Sequence, residues 1–380
     1  MGKRIFLFIN LLSVLLSSVL LASGEGRPLR EGTFDLPEMF KNPPNGYGEV
    51  PFYWWMGDKL ERKHILAHLE ELKGKGIQSL QVNYAHSDKG GYFWGLTYRS
   101  DPPLMSDEWW DLFAWFKSEA NKRGMSVSLS DYTLGLGQGQ FLDRALAEDP
   151  ALRAQVLNEF KAEFKDKLNV KLPCKKPLCA AIYSIASDGK LLPNTRENVS
   201  KLVDADGFLK LERRGRHILV CVYPQLIEVS YDPTNPDSGK LYIKHFFEEF
   251  ERRLGGCNGL NFFFSDELDF RIEGRFVWSE YLQSEFKKAK GYDIGNCADL
   301  LFVDYPDLSA KIKLDYNDVF VSLSEKNFFK PVYDWHESRG MIYGCDHGSR
   351  GKKVDEFGDH FRIIRWNQGP GCDQRTGNRI

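Results

Sequence analysis

Three carboxylates, Asp266, Glu267 and Asp269, stand directly behind the apolar residues Leu260, Phe262, Phe263 and Phe264. Hydrolysis of a glycosidic bond uses one carboxylic acid to protonate the leaving oxygen and a second carboxylate as base or nucleophile. An acid at the end of a buried strand, beside a second acid and aromatic walls, has its protonated form favoured by desolvation and like charge. That makes Glu267 the candidate general acid, with Asp266 beside it as the second catalytic candidate. The competing reading is a surface loop of solvated acids, or of acids bound to Arg271 or Arg275. Position at the end of an apolar strand favours catalysis.

Other residues that could do chemistry stand at corresponding places. Trp54 and Trp55, after Tyr53, could offer flat faces to a sugar ring or form the floor of a packed cleft. Asn83 and His86, Asp131 and Tyr132, and Asp346 and His347 each follow an apolar stretch and would line one substrate-binding mouth if those stretches converge. Asp373 is a later candidate for the same pocket. Each is weak alone, because loops are polar anyway; their shared position is the stronger signal. Gly135, Gly137 and Gly139 resemble a dinucleotide fingerprint, but Gln140 stands where the third glycine belongs. His64 and His68 share a helix face, yet the catalytic glutamate of a zinc helix is missing between them. Asp355, Glu356, Asp359 and His360 could hold a hard cation such as calcium, although no EF-hand spacing supports it. No cofactor is required by the rest of the chain.

The elements that would position these residues repeat a phrase of helix, glycine, apolar strand and polar strand end. A first strand is expected over Val50–Met56 and a helix with Ile65, Leu69 and Leu72 follows, closing at Gly74 and Gly76. Strands are expected next at Ile77–Val82 and Met125–Ser130, the latter after a helix capped by Ser106 whose apolar face is Trp109, Leu112, Phe113 and Phe116. The phrase recurs with Tyr242–Leu254 before the 259–269 stretch, and with Phe328–Ser338 before Met341–Asp346. Alternating strands and helices predict an α/β chain with a parallel sheet, and function at each strand end predicts a (β/α)8 TIM-type barrel. From about Leu168 to Ser230, short β-like runs separated by Asp188-Gly189 and Asp206-Gly207 predict a small antiparallel β insertion. The expected division is a signal peptide at 1–24, the first half of the barrel at 25–165, the insertion at 166–232 and the second part of the barrel at 233–380.

The first residues, with Lys3 and Arg4 before an apolar run from Ile5 to Leu21 and small residues at Ala22-Ser-Gly24, predict a secretory signal peptide and a secreted or periplasmic protein. An uncleaved anchor helix is the rival reading; after cleavage no stable membrane insertion is expected. Cleavage would leave 49 basic against 53 acidic residues, a net charge of −4 without a basic stripe, so nucleic acid is a poor partner. Aromatic residues make up 14% of the chain, which suits sugar-binding faces as well as a large core. The seven cysteines include no CxxC; export would permit a disulfide, with Cys174 and Cys179 the nearest pair in sequence. At least one thiol stays free or pairs between chains, and buried free thiols are the expectation in a chain this long. Asn198-Val-Ser200 fits a glycosylation acceptor. Nothing in the sequence points to a protein partner.

Taken together, these features resemble the secreted bacterial glycoside hydrolases around family 106, the α-L-rhamnosidases, and related barrels. The resemblance rests on the Trp54-Trp55 strand end, the β insertion and the run Tyr231-Asp-Pro-Thr-Asn-Pro-Asp-Ser-Gly239. It rests also on the Phe-Ser-Asp-Glu267 strand end and on the segment from Gly358 through Trp366 to Asp373. It implies a carbohydrate substrate, inverting hydrolysis of rhamnoside-like bonds in polysaccharides or glycans, Glu267 as general acid and a second glutamate as base on a later strand. Five clear strands and a sixth before Asp373 are legible, short of the eight of a barrel. The chain is therefore expected to be an incomplete barrel, with the base beyond Ile380. A non-catalytic carbohydrate-binding protein and an inactive truncated fragment stay open as alternatives.

Overall fold

A computed structural model describes residues 35–41, 49–55, 59–84, 101–103, 105–129, 145–266, 270–272, 274–346 and 360–369. After a short helix α1 (Leu36–Lys41), strand β1 (Phe52–Trp55) leads through α2 (Arg62–Gly74) to β2 (Ser79–Tyr84), and α3 (Asp107–Lys122) leads to β3 (Ser126–Leu129). Ser106 starts α3 as expected, its hydroxyl accepting the Trp109 amide at 3.2 Å, and Asp107 and Glu108 occupy the first turn. The buried face of α3 is Trp109, Trp110, Leu112, Phe113, Phe116 and Ala120.

Two further strands complete this sheet. β8 (Leu260–Asp266) and β10 (Tyr343–Asp346) add to it in the order β1-β2-β3-β8-β10, every pair parallel. Chain order and spatial order agree, as successive crossovers of one hand require. Among the described residues the parallel sheet has these five strands and no closed barrel is seen; of the incomplete (β/α)8 barrel expected from the sequence, the structure shows a five-stranded parallel sheet. Gly259 starts β8 with φ +66°, and a Cβ on it would lie 2.1 Å from Asn121 Oδ1. The left-handed φ favours glycine there, and the space a Cβ would need is taken by the Asn121 side chain of α3.

The helices before β8 and β10 differ from plain α-helices. α4 (Ser238–Tyr242) runs through a π turn, Ile243–Phe247, into α5 (Glu248–Arg253). After α6 (Glu280–Lys290), the long α7 (Leu308–Ser324) likewise passes through a π turn, Glu325–Phe329, into α8 (Lys330–Ser338). The two irregular helices cross closely at Gly239, where an added Cβ would come within 2.8 Å of the Asn327 carbonyl oxygen. The Asp-Pro-Thr-Asn-Pro-Asp-Ser-Gly239 motif builds that crossing. The Asp232 carboxylate accepts the Thr234 hydroxyl and amide at 2.6 and 2.8 Å, and Asn327 Nδ2 donates to the Thr234 carbonyl at 2.6 Å.

A second, antiparallel sheet has the order β6-β5-β7-β4-β9. Its long pair is β4 (Arg153–Lys171) against β7 (Phe208–Tyr231), flanked by β5 (Cys179–Ser184), the two-residue β6 (Glu197–Asn198) and β9 (Phe276–Trp278). Antiparallel pairing therefore begins at Arg153, inside the span read from sequence as barrel, and takes in a strand from beyond Tyr231. The reason is periodic: Phe160, Ala162 and Phe164 alternate with Glu159, Lys161, Glu163 and Lys165, the period of a strand, and Leu168 and Val170 continue it beyond the expected boundary at 165/166. One face of this sheet joins the main core through Ala154, Cys179, Ala181, Tyr183, Val220 and Val222; the other forms a smaller cluster around Ile182, Leu209, Leu219 and Cys221.

Asp299, fully buried in the 3-10 turn Ala298–Leu301, ties this sheet to the helical layer. It accepts two bonds from the Arg196 guanidinium at 2.8 and 2.7 Å, one from the Cys179 thiol at 3.1 Å, and one from the Tyr183 hydroxyl. Arg196 also donates to the Asn296 carbonyl at 2.7 Å. Removing one partner of a buried pair strands the other charge, at a cost of about 3–5 kcal/mol. Asp299→Ala is expected to lose about that much unfolding free energy in urea titrations; a loss below about 1 kcal/mol would contradict this role for the pair.

Candidate active site

The parallel sheet has two chemically different faces, and the strand register separates them. Tyr53 pairs with Val82, Leu80 with Val127, Val127 with Leu260, and Phe262 with Tyr343. This apolar face lies under the helices. The Trp55 ring sits 5.4 Å from Phe116 and 6.0 Å from Phe113, while Phe262 meets Phe246, Phe247 and Phe250 within 5.8 Å.

The opposite face is polar. Phe52 pairs with Gln81, Trp54 with Asn83, Ser79 with Ser126, Gln81 with Ser128, and Ser128 with Asn261. All but the two aromatics are buried, and buried polar groups require partners. Gln81 Nε2 donates to Asn83 Oδ1 at 3.3 Å, the Ser126 hydroxyl donates to the Ser79 hydroxyl at 2.8 Å, and the Ile342 amide donates to Asn261 Oδ1 at 2.9 Å. The last bond sits just before the irregularity in the β8–β10 pairing and helps hold those two strands together.

Register divides the candidates of the first strand. Trp55 is 2% exposed and belongs to the core, which corrects the expectation that it meets substrate: its neighbour's side of the sheet is the open one. Trp54 is 48% exposed, on the polar face opposite Asn83, with Phe52 edge-on at 5.8 Å. At the other side of the sheet, Asp266 and Asp346 are register partners at the carboxyl ends of β8 and β10. Two of the sequence candidates are therefore neighbours along the backbone. Glu267, His86, Asp131, Tyr132, His347 and Asp373 lie outside the described residues, as do residues 1–24 and the cation candidates Asp355, Glu356 and Asp359.

Gln81, Ser128 and Asn261 were not singled out from the sequence. The signal was present as strict alternation in Ser79-Leu-Gln-Val-Asn83 and Ser126-Val-Ser-Leu129, which places every polar residue on one face. Among the described residues no group of three or more His, Cys, Asp or Glu side chains could hold a metal ion, and no helix is long and apolar enough to cross a membrane.

The strand ends are braced from two directions. The side chain of Glu325, 5% exposed in the second π turn, accepts from Arg362 at 3.0 and 2.6 Å, from Arg365 at 2.6 Å and from the Trp366 indole at 3.1 Å. This clamp holds α9 (His360–Ile363) and the residues after it. The Gln368 amide then donates to the Tyr343 carbonyl at 2.8 Å, while the Tyr343 amide donates to Gln368 Oε1 at 3.1 Å. The amide and carbonyl of Tyr343 on the β10 edge thus gain partners.

Beneath β8 and β10 lies His336, wholly buried among Phe247, Trp335, Tyr343 and Phe262, with ring centroids 4.4, 4.9, 4.7 and 5.6 Å away. Its Nδ1 bonds the Val332 carbonyl at 2.7 Å, so Nδ1 carries the hydrogen of a neutral ring. Nε2 has no hydrogen-bond partner among the described residues. Burial, above all, pushes the imidazole down from 6.5 to about 3, and the Arg339 guanidinium adds to that.

Neither a protein-family model nor a curated protein sequence matches the chain. Among solved structures, the chain is similar to a rhamnosidase from Novosphingobium sp. PP1Y, with a TM-score of 0.52 at 12% identity over 82% of this chain. The match spans 47% of the rhamnosidase, so this chain corresponds to about half of it. Two β-galactosidases, from the psychrophilic Marinomonas ef1 and the Antarctic haloarchaeon Halorubrum lacusprofundi, align at 10% identity over 86% of this chain and 40% of theirs, with TM-scores of 0.40 and 0.39. The likeness to the rhamnosidase is one of fold: a mixed α/β architecture that combines a parallel sheet with an antiparallel one.

A neutral His336 makes the packing under the site acid-sensitive. Because its folded pKa is below the unfolded value, its contribution is present above pH 6.5 and is lost as pH falls toward about 3. Between pH 7 and pH 5 the protein is expected to lose about 2 kcal/mol of stability through this group. His336→Leu is expected to remove that component from the difference between urea unfolding curves at the two pH values. An unchanged difference would contradict the assignment.

Proposed function

We propose that the chain is the barrel part of a secreted glycoside hydrolase that cleaves rhamnoside-like bonds in polysaccharides or glycans, with Glu267 as general acid. The observation that carries this reading is the register of Asp266 with Asp346 at the carboxyl ends of adjacent parallel strands, because Glu267 is the next residue after β8. Parallel α/β folds carry their chemistry at that end of the sheet. The fold likeness to a rhamnosidase supports the same reading.

The roles follow from residue chemistry. Glu267 donates its proton to the glycosidic oxygen as the bond breaks, and a second carboxylate takes a proton from the attacking water. Asp266 beside it raises the cost of ionising both acids, which favours a protonated Glu267 before reaction. The exposed Trp54 indole offers a flat apolar face to one side of a sugar ring. Asn83, paired with it in register, is buried and accepts from Gln81 Nε2, so it supports the strand that presents the indole. Asp131, Tyr132, His86, His347 and Asp373 remain proposed pocket residues on their strand-end positions in the sequence.

Glu267→Gln keeps the shape of the side chain and removes the acid. On natural rhamnosides, whose leaving groups need protonation, kcat is expected to fall roughly 100- to 10,000-fold, and less on activated aryl rhamnosides. Unchanged turnover on natural substrates would overturn the assignment. Calorimetric binding of rhamnosides by the parent protein with no release of product would instead identify a non-catalytic carbohydrate-binding protein.

A further inference from the structure

Two thiols meet inside the smaller apolar cluster of the antiparallel sheet. Cys221 is fully buried in β7, and Cys174, partly buried on the crossover from β4 to β5, packs against the same cluster. The crossover is fixed at both ends: the Leu172 amide donates to the Gly207 carbonyl and the Leu178 amide to the Val222 carbonyl, each at 2.8 Å. β5 then places Ala180 opposite Cys221. The backbone at Cys174 is held close as well, since a Cβ on Gly207 would lie 3.1 Å from the Cys174 carbonyl oxygen. Within this frame the Cys174 side chain packs against the same apolar cluster that contains the buried Cys221 thiol.

Cys179, the nearest cysteine to Cys174 in sequence, is not its partner in space. Its thiol lies on the other face of the sheet and donates to Asp299 at 3.1 Å. Cys297 donates to the Asp293 carbonyl at 3.7 Å. The cysteine that shares a cluster with Cys174 is Cys221.

We propose that Cys174 and Cys221 form a disulfide that staples the β4–β5 crossover to β7. Cys174, the more accessible thiol, attacks as thiolate a sulfur of a small-molecule or oxidoreductase disulfide, expelling one thiolate and leaving a mixed disulfide. The Cys221 thiolate attacks the Cys174 sulfur and expels the second thiolate. The two cysteine sulfurs are oxidised, the oxidant is reduced to two thiols, and the two cysteine protons end on those thiols or in solvent. Burial raises both cysteine pKa values, Cys221 to about 12, so the reaction speeds up as pH rises. The bond closes the chain between residues 174 and 221, a long loop, which is the case in which a cross-link restricts the unfolded state most.

The test uses the full chain, reduced and then incubated with glutathione disulfide and glutathione, with free thiols alkylated before non-reducing digestion and mass spectrometry. The expected product is one linked peptide pair carrying Cys174 and Cys221, lighter than the two free peptides by two hydrogens. Reduction is expected to lower Tm by roughly 4–8 °C, a shift absent in Cys174→Ser. Recovery of both cysteines alkylated, or of Cys174 linked to a different cysteine, would overturn the pairing. A cross-linked protein whose Tm is unmoved by reduction would overturn the stapling role.

Discussion

The rest of this molecule depends on one constraint, that a parallel sheet carries buried polar side chains on one of its faces. Parallel strands are ordinarily apolar on both sides because both are covered. Here Ser79, Gln81, Asn83, Ser126, Ser128 and Asn261 alternate with Leu80, Val82, Val127 and Leu260. A register slip of one residue would send these polar groups into the helical layer and the apolar ones out of it. Hydrogen bonds between neighbours on the polar face, such as Ser126 to Ser79 and Gln81 to Asn83, satisfy what burial would otherwise penalise. The same alternation decides that Trp54 is available to a ligand and Trp55 is not.

Around that sheet the other elements act as braces. The two π turns bring Phe246, Phe247 and Phe328 into the aromatic core, and Gly239 lets the helices that carry them touch. Glu325 holds the segment that caps the β10 edge, and His336 fills the space under β8 and β10 without a charge. The antiparallel sheet is attached through Asp299 and Arg196. Each of these groups is remote from Glu267 in sequence, yet the paired ends of β8 and β10 rest on several of them.

Much of the parallel sheet was legible because each strand is a short apolar run behind a glycine, and such runs have few alternatives in a chain of alternating helices. The acids at Asp266 and Asp346 were legible for the same reason. The polar face was harder to see: three serines, two asparagines and a glutamine are common residues, and only their period distinguishes them from loop. Trp54 and Trp55 are adjacent and chemically identical, so composition could not choose between opposite faces of one strand. The full extent of β4 and β7 was hidden by charged residues on their exposed side, which read locally as solvated turns. The placing of Cys174 against the cluster that holds Cys221 depends on a crossover path that no local pattern encodes. The π turns insert a residue into a helix without altering its apolar periodicity enough to be noticed.

In the proposed function, sugar binds at the carboxyl ends of the parallel strands. The most direct measurement is a crystal structure of the protein with a non-hydrolysable rhamnoside. The account predicts a sugar over the Asp266–Asp346 strand ends, with Glu267 at the glycosidic position and an aromatic contact from Trp54. A rhamnoside bound on the antiparallel sheet, with the strand ends unoccupied, would contradict it.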